Sequence, residues 1–584
     1  MTRLTRKLAL CFVCAAAVAA LTAGCGSKPA SEGGATSAPS IPVTRGGELL
    51  ASIRTDPQTF NRYTQRDSST LLVATLTQAP LVRLNRVTQE IEPWLAEKWS
   101  VSDHGQTFTL TLRRDVVFSD GHPFTADDVL FSFAAAYDDR TGGPLTDALK
   151  VAGKKLEVKA TDPHTVVIRF PVPFAPGLRI LDNLPILPRH TLEAAFNAGT
   201  FAKAWSTSTP PADLAGLGPF VLAEYTSGQR LVFTRNPRYF RRAPDGGPLP
   251  YLDRVTLDII PDASAELLRL ESGQLDSLTS EISSEAYAPI KRAADAGTVK
   301  LLDLGVSYNA DALWFNLKPG ALGNDPRAAW LQRDELRRAI SMAVDRKVYA
   351  DTVFLGAGVP VYGPETPANT EWFWNGPVTP YDPAGAKLFL TELGLEDRNH
   401  DGILEDKSGR PARFTVLTQK GRPNLERGAK VISDELKKVG LQVDVVTLDA
   451  GAIYAAVISA HYDAVFFNTD KTDSDPAINP DYWLSSGSAH FWNLEQKTPA
   501  TEWERQLDAL MAKQSASADH AERKRLYDEM QKIFAQHLPM LYFAAPRIYV
   551  AHSTRMTNLT PSVWRPQLLW SPDTIAVTST ARKN

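Results

Sequence analysis

The feature of the sequence that most restricts the fold is the interleaving of strand patterns and helix patterns from Leu49 onward. Residues 107–112 read TFTLTL, and this alternation of apolar and threonine side chains predicts a half-buried strand. Thr125 and, three residues later, Asp128 have the spacing of a capping box, which predicts the start of a helix. Strands that alternate with helices predict a mixed α and β protein rather than a helical bundle or a β-sandwich.

A second stretch, residues 424–448, combines both patterns in one unit. Apolar side chains recur at helical spacing from Leu425 to Val439, Gly440 then ends the predicted helix, and a strand pattern follows at once. Helix, glycine and strand in this order form half of a crossover unit, which is typical of a parallel sheet covered by helices. Later in the chain we predict two amphipathic helices and two strands, around residues 503–511, 526–534, 540–543 and 548–551.

All the cysteines lie near the N-terminus. Cys11, Cys14 and Cys25 are the only three in the 584-residue chain, so the body of the protein must be stabilised by hydrophobic cores and not by disulfides. Three basic residues precede an uncharged run at residues 8–21, which is shorter than the about 20 apolar residues of a membrane-spanning helix. We therefore predict that residues 1–24 are a secretory signal peptide.

Residues 21–25 read LTAGC, which resembles the bacterial lipoprotein box, in which the cysteine is diacylated and becomes the first mature residue. Thr22 occupies the position where leucine is commonest in that box. The resemblance implies that Cys25 carries the lipid and inserts it into the bilayer. The segment after the signal, residues 25–44, is rich in Ser, Gly, Ala and Pro and predicts a flexible tether. The alternative is ordinary signal cleavage with Cys25 unmodified.

Charge and motif content exclude several functions. The formal net charge is −3, and it becomes −6 without the three positive charges of residues 1–24, so we expect no binding of nucleic acid. The sequence lacks a Gly-rich phosphate loop, a paired-histidine zinc helix, a nucleophile elbow and cysteine pairs for a metal. We therefore expect no enzymatic activity and no cofactor.

The longest recognisable stretch is residues 91–133, IEPWLAEKWSVSDHGQTFTLTLRRDVVFSDGHPFTADDVLFSF. As a unit, it resembles the signature of the bacterial extracellular solute-binding proteins of family 5, which serve peptide and nickel ATP-driven importers. Further landmarks of that family occur in order along the chain: Gly46-Gly47, Asp56-Pro57, Gly218-Pro219-Phe220, Asn236-Pro237-Arg238-Tyr239, Tyr251-Leu252-Asp253, Gly273-Gln274-Leu275-Asp276, Trp314-Phe315-Asn316, Leu336-Arg337-Arg338-Ala339-Ile340 and Asp345-Arg346.

The resemblance implies an α/β fold of the class II periplasmic-binding-protein type, with two lobes and an extra inserted α+β domain. By analogy we expect the first lobe to consist of three pieces, residues 45–80, 215–304 and 538–580. The inserted domain would span residues 81–214, and the second lobe residues 305–537. The resemblance also implies a monomeric lipoprotein outside the cytoplasmic membrane, on the periplasmic or outer face of the cell envelope. It would capture peptides or peptide-like solutes by hinge closure and deliver them to ABC permease subunits.

Two alternatives to the peptide function remain. The same fold binds other solutes in this family, so a nickel chelate, an oligosaccharide or another small solute is the first alternative. The second alternative, a peptide hydrolase, has no support from the motif content.

The candidate ligand site is the segment YDAVFFNTDKTDSDPAINPDYWLSSGSAHFWN at residues 462–493. An apolar strand ends in a loop that carries Asp470, Asp473 and Asp475, and ligands of open α/β sheets sit beyond the carboxyl ends of strands. In peptide-binding relatives, one aspartate of such a loop pairs with the ligand's free amino group. The resemblance implies the same role for an aspartate of this loop. We rank Asp470 and Asp475 ahead of Asp473, and a solvated acidic turn is the alternative. Trp492 and Asn493 are further candidates for contact with the ligand, although an aromatic side chain there also suits core packing.

A second acidic loop has part of a calcium-binding pattern. Asp397, Asn399 and Asp401 have the spacing of the first three ligands of a calcium hand, and Gly402 falls at its sharp turn. The twelfth position is Ser408 instead of a bidentate glutamate. We therefore predict an ordinary Asn, Asp and Gly turn without a metal, and a calcium site is the alternative.

Overall fold

The computed structural model describes residues 43–578. The predicted signal peptide, Cys25 and almost all of the predicted tether lie outside the described residues. Between residues 43 and 578, no helix is long and apolar enough to cross a membrane.

The first sheet has eight strands. Its centre is parallel, because Glu48–Ile53 pairs in that sense with both Arg254–Ile259 and Ser277–Leu278. Seven strands follow one another in the order Phe220–Thr226, Arg230–Arg235, Arg254–Ile259, Glu48–Ile53, Ser277–Leu278, Ala544–Ser553 and Val299–Val306. The eighth, Gly358–Pro360, pairs with Ala544–Ser553.

The second sheet has five strands, in the order Gln442–Leu448, Arg413–Gln419, Ala464–Asn468, Asp311–Phe315 and Met540–Tyr542. The first three are parallel to one another. Met540–Tyr542 pairs with Asp311–Phe315, although the expected boundaries give residues 538–580 to the first lobe. After Phe543 the chain enters Ala544–Ser553 of the first sheet, so a single residue separates strands of the two sheets.

A smaller antiparallel sheet lies within the expected insertion. Its four strands follow the order Ala96–Ser102, Thr107–Leu112, Thr165–Arg169 and Glu157–Asp162. Three two-stranded ribbons complete the β-structure: Val82–Leu84 with Ile91–Pro93, Lys150–Val151 with Lys154–Lys155, and Met556–Thr557 with Ala576–Val577.

Sixteen α-helices lie within the described residues. In chain order they are Ser68–Thr77, Ala126–Tyr137, Leu145–Ala148, Gly177–Leu181, Arg189–Asn197, Ala263–Glu271, Ser284–Asp295, Ala328–Leu331, Asp334–Ala343, Arg346–Val353, Pro383–Glu392, Pro423–Lys437, Ala450–Ile458, Pro480–Trp483, Glu502–Ala516 and His520–His537. Five short 3-10 helices are Asp103–Gly105, Phe201–Lys203, Pro211–Asp213, Pro476–Ile478 and Pro572–Thr574.

The second sheet is covered on both faces, and one strand shows why. All five residues of Asp311–Phe315 are buried, and the strand lacks the alternation of a half-exposed strand. Leu313 and Phe315 belong to one hydrophobic cluster, whereas Ala312 and Trp314 belong to another. Successive side chains of a strand point to opposite faces, so both faces of this sheet carry packed helices.

The secondary-structure predictions tied to specific residues are confirmed. Thr107–Leu112 is a strand with Phe108 and Leu110 buried, and the backbone N–H of Thr125 donates to the Asp128 carboxylate at 2.9 Å. The helix Pro423–Lys437 is followed by Gly440, whose φ of +89° is the left-handed conformation that glycine adopts without strain.

The next strand, Gln442–Leu448, pairs in parallel with Arg413–Gln419, as a crossover unit requires. The fold class is therefore confirmed, with two lobes built on the two larger sheets. The expected domain boundaries stay a prediction.

Candidate functional site

The predicted acidic loop follows the central parallel strand of the second sheet, Ala464–Asn468. Two hydrogen bonds from backbone N–H groups hold the first residues of the loop. The N–H of Thr469 donates to the carbonyl of Ala310 at 3.0 Å, and that of Lys471 donates to Asn309 Oδ1 at 2.8 Å. The loop thus lies against residues 307–310, which connect the first sheet to the second.

Asp473 is paired with an arginine from the expected insertion. Arg179, in the short helix Gly177–Leu181, donates to Asp473 Oδ1 at 2.6 Å and to Ser474 Oγ at 3.0 Å. Gln89 joins the contact, because its Oε1 accepts from Ser474 Oγ at 2.7 Å. Burial raises the pKa of Asp473, and the Arg179 charge offsets part of that rise. We call these four residues, Gln89, Arg179, Asp473 and Ser474, the bridging cluster.

Asp475 has a structural environment. Arg523, from the helix His520–His537, holds its carboxylate in a two-pronged ion pair with distances of 2.6 and 2.9 Å. Asp475 Oδ1 also accepts the backbone N–H of Ala477 at 3.0 Å and so caps the 3-10 helix Pro476–Ile478. Both members of the pair are buried, and the carboxylate has no exposed face.

Asp470 differs from the other two loop aspartates because it is exposed to solvent. Its Oδ1 accepts a hydrogen bond from Asn309 Nδ2 at 2.9 Å. A cation lies nearby. Burial lowers the pKa of Arg565, but the charges of Glu281 and Asp470 outweigh that effect and raise it. Arg565 is itself paired with Glu281 at 2.9 Å.

A buried ion pair beside the loop has no signal in the sequence. Lys471 Nζ lies 2.7 Å from Glu365 Oε2, and Tyr527 and Asn369 donate to the same carboxylate at 2.5 and 2.7 Å. Burial lowers the pKa of Lys471. Because Glu365 is more than 100 positions away, no local pattern associates it with this loop.

Trp492 and Asn493 lie in or beside the core. Trp492 has no exposed surface, packs in the same cluster as Trp483, and donates its indole N–H to Glu504 at 3.3 Å. Asn493 is 6% exposed, and its backbone N–H donates to the carbonyl of His490. Trp492 is therefore a core residue in this conformation, and it has no exposed surface with which to contact a ligand as we expected.

The cavity that we take as the candidate binding cavity has a volume of about 150 Å³, and no residue of the acidic loop lines it. Its walls come from the helix Ser68–Thr77, from the expected insertion and from the C-terminal segment, and three arginines take part, namely Arg62, Arg83 and Arg86. The Arg83 guanidinium lies over the Trp94 ring at 3.9 Å and over the Trp570 ring at 4.9 Å. The cavity has no local signal in the sequence, because its walls come from parts of the chain that are far apart.

The cavity and the acidic loop are neighbours. Asp182, which lines the cavity, is the C-cap of the helix that carries Arg179 of the bridging cluster. On the other side, Pro566 of the cavity wall directly follows Arg565, whose charge interacts with Asp470. The site therefore combines a cavity rich in arginine with an exposed carboxylate, and the helix Gly177–Leu181 connects the cavity wall to the bridging cluster.

The second acidic loop forms the predicted turn. Gly402 donates its backbone N–H to Asp397 Oδ2 at 3.1 Å, and Asp401 donates its own to Asn399 Oδ1 at 2.9 Å. Carboxylate oxygens of Asp397, Asp401 and Glu405 lie within 4.8 Å of one another, and Asn399 Nδ2 donates to Asp401 Oδ2 at 3.1 Å. An acidic cluster of this kind is common without an ion, and the calcium site stays an untested alternative.

The chain is similar to solute-binding proteins of bacteria. The sequence profile described as "Bacterial extracellular solute-binding proteins, family 5 Middle" matches residues 90–491. The "Probable ABC transporter-binding protein" of Deinococcus radiodurans is 27% identical, over 92% of this chain and 94% of that protein. The oligopeptide-binding protein AppA of Bacillus subtilis is 25% identical, over 94% and 95% of the two chains.

A solved structure shares the fold. The crystal structure of NikA from Brucella suis in complex with Fe(III)-EDTA superposes with a TM-score of 0.75 and 20% identity, over 91% of this chain and all of that one.

Proposed function

The chain belongs to the bacterial extracellular solute-binding proteins of family 5, and from that premise we propose that it is the substrate-binding lipoprotein of an ABC importer for peptides or peptide-like solutes. Its family consists of solute-binding proteins of transporters and not of enzymes. In this proposal the two lobes close over the solute, a lipid on Cys25 holds the protein at the periplasmic or outer face of the envelope, and the closed protein delivers the solute to the permease as a monomer.

The observation that carries the proposal is the bridging cluster. Arg179 and Gln89 come from the expected insertion, whereas Asp473 and Ser474 come from the loop of the second sheet, and the four side chains bond directly to one another. Contacts of this kind between two parts of a binding protein stabilise a closed state, and the helix that supplies Arg179 ends at Asp182 in the wall of the cavity.

The proposed peptide contact is Asp470. Asp473 and Asp475 already have arginine partners, whereas the carboxylate of Asp470 is exposed and accepts only the amide of Asn309. An amino group that loses its water on closure requires a carboxylate partner, and an exposed carboxylate loses little when it changes its partner. The similarity to AppA, named as an oligopeptide-binding protein, favours peptides among the solutes of the family.

The experiment that tests the proposal is a thermal-shift screen of the full-length protein with peptides of several lengths, a nickel–histidine chelate and an oligosaccharide. A solute that binds only the folded protein raises its stability by about 2.7 kcal/mol at 100 times its Kd. We expect a rise in Tm with at least one peptide, and mass spectrometry should recover that peptide intact. A rise with only the chelate or the oligosaccharide would refute the peptide assignment, and cleavage of the peptide would favour a hydrolase.

A further inference from the structure

We propose that the candidate binding cavity takes a carboxylate group of the transported solute, held between Arg62 and Gln78, so that the solute is an organic acid at the end that enters the cavity. This inference rests on the proposed function and names the chemical class that the cavity selects. For a peptide, the group is its C-terminal carboxylate. Four features support this role. Arg62 has no ion-pair partner, the side-chain amide of Gln78 has no hydrogen bond, the carboxylates of the wall are engaged elsewhere, and the cavity has room for one small group.

Arg62 is the cation of the cavity that lacks an ion pair. Arg83 is paired with Glu92 at 2.6 Å, and Arg86 with Asp182 at 3.5 Å. Arg62 donates to the backbone carbonyl of Gln65 at 2.9 Å and makes no ion pair within residues 43–578. Burial and the neighbouring charge of Arg66 lower its pKa to about 10, so the guanidinium is charged at neutral pH in surroundings that disfavour the charge. An anion in the cavity would remove that penalty.

Gln78 supplies an unsatisfied amide in the same wall. Its side chain lines the cavity, the residue is only 7% exposed, and its side-chain amide makes no hydrogen bond among the described residues. A carboxylate has no proton to give to the buried Oε1, so the atom of Gln78 that can hold it is the Nε2 donor. Arg62 and Gln78 thus supply guanidinium and amide N–H donors to the lining of one cavity.

The carboxylates of the wall do not compensate Arg62, because both are already engaged. Asp182 is bonded to Arg86 and also accepts the backbone N–H of Leu84 at 3.0 Å. Asp573 accepts from the hydroxyl of Tyr239 at 3.1 Å and is paired with Arg241. Among the described residues, therefore, no carboxylate of the cavity wall is available to pair with Arg62.

The size and the apolar walls of the cavity restrict the substituent that the carboxylate can carry. A volume of about 150 Å³ is enough for a benzene-sized group, so this cavity, whose lining mixes charged and apolar side chains, holds a terminal group and not a whole peptide. The indoles of Trp94 and Trp570 and the ring of Pro566 supply flat walls without an additional charge. The cavity thus fits a carboxylate with one small or planar substituent.

The test compares one peptide with its amide. We expect isothermal titration calorimetry of full-length protein to show that Ala-Ala-Ala as the free acid binds about tenfold or more tightly than Ala-Ala-Ala amide, because the amide leaves Arg62 without an anion. Arg62→Gln should weaken binding of the free acid by a similar factor and abolish the preference. Gln78→Met, which keeps the side-chain length, should reduce affinity for the free acid in a protein with unchanged Tm.

Arg66→Gln is the matched control. Arg66 lies four positions from Arg62, is exposed, and does not line the cavity, so the variant loses the same charge but should keep the preference for the free acid. Equal affinity of the wild type for acid and amide would overturn the inference, and so would a preference that persists in Arg62→Gln.

A second measurement separates this inference from the proposed function. If no peptide binds, the peptide assignment fails, and the cavity is then tested with succinate and succinamide in a thermal-shift assay. A rise in Tm with succinate that is absent with succinamide and lost in Arg62→Gln supports a carboxylate site in a transporter of other acids. No rise with succinate in the wild type overturns the carboxylate site itself.

Discussion

Asp470, Asp473 and Asp475 lie within six residues of one another, but their surroundings divide them into different roles. Asp475 is committed to Arg523, and Asp473 to Arg179, whereas Asp470 faces solvent and has only an amide partner. A buried and paired carboxylate stabilises its own region, because removing one partner leaves the other charge unpaired. Asp470 has no such function in the described structure, so it is the loop aspartate that is free to bind a ligand.

The first prediction is that Asp470→Asn weakens binding of a peptide with a free amino group without lowering Tm. Because Asp470 is exposed without a solute, the pair is desolvated only by the peptide that covers it. Loss of one member of a pair desolvated in this way costs about 2–5 kcal/mol, which is roughly 30-fold or more in affinity. Calorimetry with a peptide and its N-acetylated form measures the effect. Asp475→Asn is the matched comparison, because it should lower Tm through Arg523. Unchanged affinity in Asp470→Asn, or equal binding of both peptide forms by the wild type, would contradict this role.

Asp311 is a buried carboxylic acid that makes the stability of the protein depend on pH. Its carboxylate accepts the hydroxyl of Tyr349 at 2.8 Å, and burial raises its pKa to about 7. The folded protein keeps this carboxyl protonated up to that pH, whereas the unfolded chain ionises near the model-peptide value of about 3.9. The wild type therefore loses stability from Asp311 as pH rises from about 4 to 7 and regains none above it.

The second prediction is that Asp311→Asn removes this loss. Relative to the wild type, its free energy of unfolding should improve between pH 4 and pH 8 by an amount on the order of 4 kcal/mol at most. Urea denaturation at both pH values measures the difference. Asp351→Asn, at a surface position paired with Lys347, serves as control and should show little change with pH. A difference between Asp311→Asn and wild type that is constant with pH would contradict the assignment.

Among the helices and strands, the short helix Gly177–Leu181 contacts both the acidic loop and the wall of the candidate binding cavity. Its five residues place Arg179 against the loop after Ala464–Asn468, and its C-cap Asp182 reaches the wall of the candidate binding cavity. Movement of this helix would therefore change the bridging cluster and the cavity together. The coupling needs no long pathway, because one helical turn contacts both features.

The third prediction concerns this helix. Arg179→Gln should favour the open form, because it leaves Asp473 buried without its cation, and apparent affinity falls in proportion to the closed fraction. We expect a ligand affinity reduced by about tenfold and a larger radius of gyration before ligand is added, measured by small-angle scattering. Arg523→Gln is the control, since it breaks the analogous pair with Asp475 inside one lobe. It should lower Tm and leave the radius unchanged; the same radius in both variants would argue against a bridging role.

For the whole molecule, the two shortest of the four connections between the two larger sheets are adjacent. They are residues 307–310 and Phe543. The connections lie side by side, because Ser307 donates its backbone N–H to Pro546 at 2.8 Å and Phe543 donates to Asp311 at 3.1 Å. Two short, neighbouring crossings are the connection that a hinge between two lobes requires, and they support the proposed closure.

The fourth prediction concerns the attachment of the whole protein to the membrane. If Cys25 carries a lipid, Cys25→Ser should appear in the soluble fraction after cell lysis, whereas the wild type should sediment with membranes even in high salt. Stable anchoring needs two or more acyl chains, since one chain gives only marginal binding. Cys14→Ser is the matched control, because it lies inside the predicted signal peptide and should leave the attachment intact. Retention of Cys25→Ser on membranes after a salt wash would disprove the lipid anchor.

Patterns of neighbouring residues were enough to predict local structure and the family. TFTLTL at residues 107–112 and the pair Thr125 and Asp128 indicated a strand and a capped helix, because periodicity and capping depend on neighbours a few positions apart. The helix, Gly440 and strand unit indicated a parallel sheet for the same reason. The order of short landmarks along the chain was enough to indicate the family, since it does not depend on the three-dimensional arrangement.

The partners of the site residues depend on long-range packing and could be identified only in the folded protein. Nothing near Asp473 in the sequence points to Arg179, which lies 294 positions away, or distinguishes its buried pair from the exposed Asp470. The candidate binding cavity depends even more on long-range contact, because Arg83 and Trp570 meet only after the C-terminal segment returns to the expected insertion. Sequence patterns record which face of an element is apolar, whereas charge pairing and cavity shape depend on where the packed elements meet.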